Sequence, residues 1–171
     1  MNMQQILCLK SENHLAEELE KCNSLKEVFG FVKECVDKTL RESRAGIDIG
    51  LAEMGNKDGA LLSAFYPVGS NIIMLNTTPL RRIMETEPAL FKPYLFSVLL
   101  HEYLHSLGYV NETETRQLSF KICKHLFGDE HSATQISFDI RKFFPYLLYP
   151  GGHPGNKQVQ VIEVDDLDYI G

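Results

Sequence analysis

The stretch Leu99-Leu100-His101-Glu102-Tyr103-Leu104-His105-Ser106-Leu107-Gly108 contains H-E-x-x-H, with His101 and His105 four residues apart. On a helix, residues four apart stand one turn above each other on one face. Two imidazoles so placed chelate a divalent metal, and neutral imidazole suits zinc. Glu102 lies about a third of a turn from His101, beside the metal position rather than on it, where it can take a proton from a metal-bound water. The surroundings support a helix over residues 91–107. Pro93 stands near its start and Gly108 just past its end, where a C′ glycine belongs. Leu95, Val98, Leu99 and Leu104 make that helix largely apolar. Two histidines and a glutamate in such a helix are costly to bury unless something satisfies them.

A zinc site of this kind needs a third protein ligand and an open position. In the next segment, residues 109–120, Asn111 reads as an N-cap with Glu114 as its capping-box partner. That leaves Glu112, in the first turn, to point back at the metal across the Gly108 turn. Glu114 and Asn111 stay as alternative third ligands, though Asn is a poor zinc donor beside Glu.

These residues resemble the gluzincin branch of the zincin metallopeptidases, in which H-E-x-x-H is followed by a second helix that supplies a Glu ligand. In several of those families the second helix reads like E-x-E-A-D-x-F-A. The matching positions here are Glu112, Glu114, Thr115, Arg116, Leu118 and Ser119, with Arg116 where the family carries an acidic residue or Asn. The resemblance covers roughly residues 60–128. It implies an α+β, zincin-like fold, with a small, mostly antiparallel sheet on the active-site helix. It implies one Zn2+ per chain on His101, His105 and Glu112. The activity it implies is peptide hydrolysis through a metal-bound water, with Glu102 as general base. Gluzincins stabilise the oxyanion with a downstream Tyr or His, and His131, Tyr146, Tyr149 and His153 are the candidates. The partner is a peptide or protein substrate, bound by strand addition at an edge strand from Asn71 to Asn76. An interior strand there fits the pattern equally well.

Two rivals use the same residues. Metzincins read H-E-x-x-H-x-x-G-x-x-H, and here the third His position holds Asn111. A bacterial rRNA-maturation endoribonuclease family reads H-G-x-L-H-x-x-G-Y-D-H; Leu104, His105, Gly108 and Tyr109 match it, but Glu102 replaces its Gly and Val110-Asn111 its Asp-His. Losing a His ligand while gaining the general-base Glu favours the peptidase. A non-catalytic, zinc-stabilised domain, its site closed by a fourth protein group, is the third reading.

The whole chain sets the bounds. Its 171 residues suit one domain, and 44% apolar with 23% charged residues is an ordinary globular balance. A net charge of −6 disfavours nonspecific binding to nucleic acid or anionic membrane. The four cysteines, at 8, 22, 35 and 123, show no C-x-x-C spacing and read as reduced thiols. The start lacks a signal-peptide pattern and no run approaches the roughly 20 apolar residues of a membrane span, so the expected location is cytoplasmic.

The chain divides into a compact unit over 1–155 and a strand-like acidic tail over 156–171. Within the first, helices fill about 4–43, with Ser24-Leu25-Lys26-Glu27 as a capping box. A period-two region over about 46–76 forms the sheet, with a hairpin signal at Pro67-Val68-Gly69-Ser70. Thr78 caps a short helix with Pro79 at its first position. The active-site helices occupy about 91–127, and a further helix 132–149, interrupted at Pro145. The tail alternates from Gln158 to Val164 and reads as an added edge strand, or as a segment lying in a substrate groove.

Overall fold

The computed structural model describes residues 14–56, 62–144 and 153–164. Helix α1 spans 14–21. It is followed by α2 (Leu25–Leu40), β1 (Asp48–Asn56), β2 (Ala64–Phe65), β3 (Ile72–Asn76) and α3 (Thr77–Thr86). A single 3-10 turn at Pro88–Leu90 then leads into α4 (Phe91–Ser106), α5 (Glu112–Phe127), α6 (Ser132–Phe138), α7 (Ile140–Phe143) and β4 (His153–Ile162).

Local chemistry explains most helix starts. Ser24 Oγ accepts from the Glu27 N–H at 3.1 Å and caps α2. The buried face of α2, with Val28, Phe29, Val32 and Val36, packs on α4, where the Phe29 ring meets Tyr103 edge-on at 5.6 Å. Helix α4 is apolar on nearly every side, which suits only a helix enclosed by its neighbours. Phe96, Leu99, Leu100 and Leu104 lie fully buried along it.

The sheet has the order β2-β3-β1-β4. It is mixed: β1 and β3 run parallel, while the β2–β3 and β1–β4 pairs are antiparallel. Ile49 pairs with Ile73 and Leu51 with Leu75, and Ile47, Ile49, Ile73 and Leu75 are all core residues. On the other face of β1, a Cβ on Gly50 would lie 2.4 Å from Met74 Sδ, so the Met74 side chain packs over the bare glycine and would have to shift for any larger residue.

Four expectations change in the described fold, the last of them the cap of α3. The segment from Asn71 to Asn76 is not an edge. Strand β3 lies between β2 and β1, so its backbone groups are committed to neighbours, and the sheet edges are β2 and β4. Strand β4 pairs with β1 from His153 to Ile162, so the boundary drawn at 155 falls within one strand. The helix expected over 132–149 breaks at Asp139, whose backbone is extended and whose Oδ1 accepts from the N–H groups of Arg141 and Lys142 at 3.1 Å each. A side chain so well suited to capping starts a new helix instead of continuing the old one. Among the described residues, no helix is long and apolar enough to cross a membrane.

The cap of α3 is Asn76, not Thr78. Asn76 is fully buried and uses both ends of its amide. Its Nδ2 donates to Gly55 O and Leu62 O, each at 2.8 Å, and its Oδ1 accepts from the N–H groups of Met54 and Thr78 at 3.0 and 3.1 Å. One side chain thereby joins the end of β1, the approach to β2 and the start of α3. Asn76→Ala leaves four backbone groups without their partner, so urea unfolding should show a loss of about 3 kcal/mol or more.

Candidate metal centre

The last turns of α4 carry His101 and His105 one turn apart, and the chain then reverses sharply. Gly108 takes φ +105, a left-handed backbone that disfavours any side chain. Its N–H donates to His105 O at 3.1 Å, and the Tyr109 N–H donates to Leu104 O at 3.2 Å. Two residues later Asn111 Oδ1 accepts from the Glu114 N–H at 3.0 Å and starts α5. Glu112 is therefore the first residue of α5 and faces back across the turn.

The three side chains converge. His101 Nε2 and His105 Nε2 lie 3.1 Å apart; Glu112 Oε1 lies 3.1 Å from the first and Oε2 3.1 Å from the second. Their donor atoms form a group that can hold a metal ion. Glu114 is not in that group, and Asn111 Oδ1 is engaged as the helix cap.

The neighbouring groups prepare these donors. His105 Nδ1 lies 2.6 Å from Tyr109 O, a contact that can only be made by an Nδ1–H, so the Nε2 lone pair faces the other two ligands. Tyr109 O is approached in turn by the fully buried Thr115, whose Oγ1 donates to one of two backbone carbonyls, Tyr109 O at 2.7 Å or Asn111 O at 2.9 Å. Burial pushes His101 below its ordinary range, with Glu112 pulling the other way, which favours the neutral imidazole a metal requires. Burial opposes the charge on Glu112, but His101 and His105 outweigh it and hold the carboxyl below its usual range. Thr115→Val removes the hydroxyl that approaches Tyr109 O while keeping the side-chain volume. Because Tyr109 O itself stays on His105, the loss of metal affinity should be smaller than the roughly 10-fold to 100-fold that removal of a direct orienting partner costs, read by competition with a chelating dye, with the helix content unchanged.

Glu102 is 8 % exposed. Burial raises its carboxyl to about 7; His105 opposes, Glu112 adds to the rise, and the Tyr66 backbone N–H, donating to the carboxylate, opposes. A carboxyl poised there accepts and returns protons near neutral pH.

His101, His105, Glu112 and Glu102 open into one cleft of about 620 Å³. The β2 segment, residues 62–66, and the α6–α7 junction, residues 136–141, both line it. Arg116 and Ser119 of α5 and Ser97 and Val98 of α4 complete it.

The expected oxyanion residues fare differently. His131 does not line the cleft: its Nδ1 accepts from the Ala133 N–H at 3.1 Å to cap α6, and its ring stacks on Phe127 at 4.6 Å. A helix-cap position at the far end of α6 commits it to structure. Tyr146 and Tyr149 lie outside the described residues, and so does the side chain of His153, which begins β4. Sequence reasoning did not identify Phe138, Arg141 or the Tyr66 N–H as cleft groups. No motif marks them, because they reach the cleft from separate elements. Compared with protein-family models, curated proteins and solved structures, the chain matches none.

Proposed function

We propose that this chain is a compact zinc metallopeptidase of the gluzincin-like type, with a zincin-like arrangement of sheet and active-site helix. The observation that carries this reading is the convergence of His101, His105 and Glu112 within a cleft that also holds the buried Glu102. The donor set fits zinc: two nitrogens and a carboxylate at about 2.0–2.1 Å in a tetrahedral arrangement stand about 3.3–3.4 Å apart, close to the 3.1 Å separations here. Three described protein ligands suit the catalytic kind of site, in which a fourth position is kept for water or substrate.

When bound, the zinc supplies a Lewis acid that polarises the scissile carbonyl and lowers the pKa of water to about 7. Glu102 accepts the proton of the attacking water and delivers it to the leaving amine. The Tyr66 N–H and the packing around Glu102 fix that carboxylate in place. The peptide backbone is held at β2. Ser63 O accepts from the Asn76 N–H at 2.9 Å, so Ser63 and Phe65 face β3. By the alternation of a strand, the N–H and C=O of Ala64 face the cleft side and are suited to strand addition. The free-thiol state of Cys22, Cys35 and Cys123 suits an intracellular setting.

Asn111, which stands where the endoribonuclease family places a His ligand, caps α5, and this favours the peptidase over the nuclease. The test is zinc content by plasma mass spectrometry on protein purified without a histidine tag, followed by cleavage of a peptide library. About one zinc per chain with zinc-dependent cleavage supports the reading. No zinc, or zinc with intact peptides and cleaved RNA, overturns it.

A further inference from the structure

We propose that Arg116 and Ser119 form a carboxylate-binding subsite beside the metal ligands, and that the ligands held in this cleft carry an acidic side chain or a free chain end there. The inference rests on the peptidase reading for the peptide nature of the ligand. Its own observations concern α5. Arg116 and Ser119 are three residues apart on that helix, on one face, and both line the cleft.

Ser119 is 1 % exposed, and its buried hydroxyl has no hydrogen-bond partner among the described residues. The other helix hydroxyls lining the cleft are engaged: Ser97 Oγ donates to a backbone carbonyl, with Pro93 O at 2.8 Å and Ala133 O at 2.9 Å, and Ser137 Oγ donates to Thr134 O at 2.8 Å. Buried hydroxyls are ordinarily satisfied; among the described residues Thr78 and Thr134 also carry unpartnered ones, but of these three only Ser119 lines the cleft, where a group supplied from outside can meet it.

Arg116 supplies the charge. Its Nη2 lies 3.2 Å from Glu112 Oε1, and that contact uses one of five guanidinium N–H groups. A planar fork of donors beside the scissile position suits a carboxylate. Its contact to Glu112 is an exposed pair of the weak kind, which a ligand carboxylate can replace, more so once Glu112 gives its charge to a metal. Arg141, at the α6–α7 junction, also lines the cleft and carries a second positive charge, beside Asp139, which accepts from two helix N–H groups. The two arginines share this lining with Glu102, Glu112 and Asp139, so the preference for a carboxylate comes from the Arg116 fork beside the Ser119 hydroxyl and not from the net charge of the cleft.

The test measures binding, not turnover, so it is independent of the hydrolysis assay that decides the parent reading. Zinc-loaded Glu102→Gln protein is titrated by calorimetry with one blocked peptide in four forms: Glu or Gln at an internal position, each with a C-terminal carboxylate or carboxamide. A short RNA is the fifth probe. The expected result is that one carboxylate form binds about tenfold or more tightly than its neutral counterpart. The Glu/Gln pair shows a side-chain source and the carboxylate/carboxamide pair a chain-end source. Adding Arg116→Gln reduces that advantage below about twofold, and Arg116→Lys restores part of it. Adding Ser119→Ala weakens the carboxylate form severalfold without lowering the melting temperature, since the lost hydroxyl has no partner among the described residues of the ligand-free fold. Equal binding of charged and neutral forms, no binding of any, an advantage that survives Arg116→Gln, or RNA bound in preference to every peptide overturns the proposal.

Discussion

Zinc-loaded Glu102→Gln protein is expected to retain its metal and to cleave peptides at least about 1,000-fold more slowly than the unmodified chain, within the range general acid–base groups contribute. The substitution keeps volume and shape in a site that is 8 % exposed, and it removes only the capacity to take a proton. Full activity with bound zinc would remove Glu102 from the mechanism. A second consequence separates a removed base from a collapsed site. In chelator-treated protein the Glu102 carboxyl sits at about 7, above the roughly 4.3 of an unfolded chain. The folded state then binds more protons than the unfolded state between those values, so stability falls as pH rises through that window. Glutamine does not titrate. Melting temperatures of the metal-free Gln variant should therefore exceed those of the parent at pH 8 and approach them at pH 4, whereas a damaged fold would be lower at both.

Glu112→Ala is the other large effect. Losing a group that only orients a ligand typically costs about 10-fold to 100-fold in metal affinity, so losing the ligand itself should cost more than about 100-fold. Zinc content should fall from about one per chain to a small fraction after dialysis, and hydrolysis with it. Glu114→Ala is the control. Glu114 is exposed, and the bond that involves it in the cap is made by its backbone N–H, which alanine retains. That variant should keep its zinc and lose at most about 1 kcal/mol, from the charge at the helix N-terminus. The opposite pattern, with zinc lost in Glu114→Ala and kept in Glu112→Ala, would mean that the third ligand is misassigned.

What the sequence determined by itself is local. The one-turn spacing of His101 and His105, the Ser24 cap of α2, the left-handed Gly108 and the Asn111 cap of α5 each depend on atoms within a few residues. From them follows the convergence of His101, His105 and Glu112, because the turn and the helix start place Glu112 opposite the two imidazoles. Tertiary structure decided the rest. Period-two patterning marks β3 as a strand but cannot say whether it has one neighbour or two, and its neighbours β1 and β2 are set by pairings between distant segments. The cap of α3 moved from Thr78 to Asn76 because only in three dimensions do Met54, Gly55 and Leu62 come within reach of that amide. His131 has the chemistry of a catalytic residue, yet stacking on Phe127 and capping α6 turn it to structure. The cleft itself, lined by β2 and by Phe138 and Arg141, exists only where the sheet edge, α4, α5 and the break at Asp139 meet. Sequence spacing reaches one helix turn; walls built from four separate elements are a property of their packing.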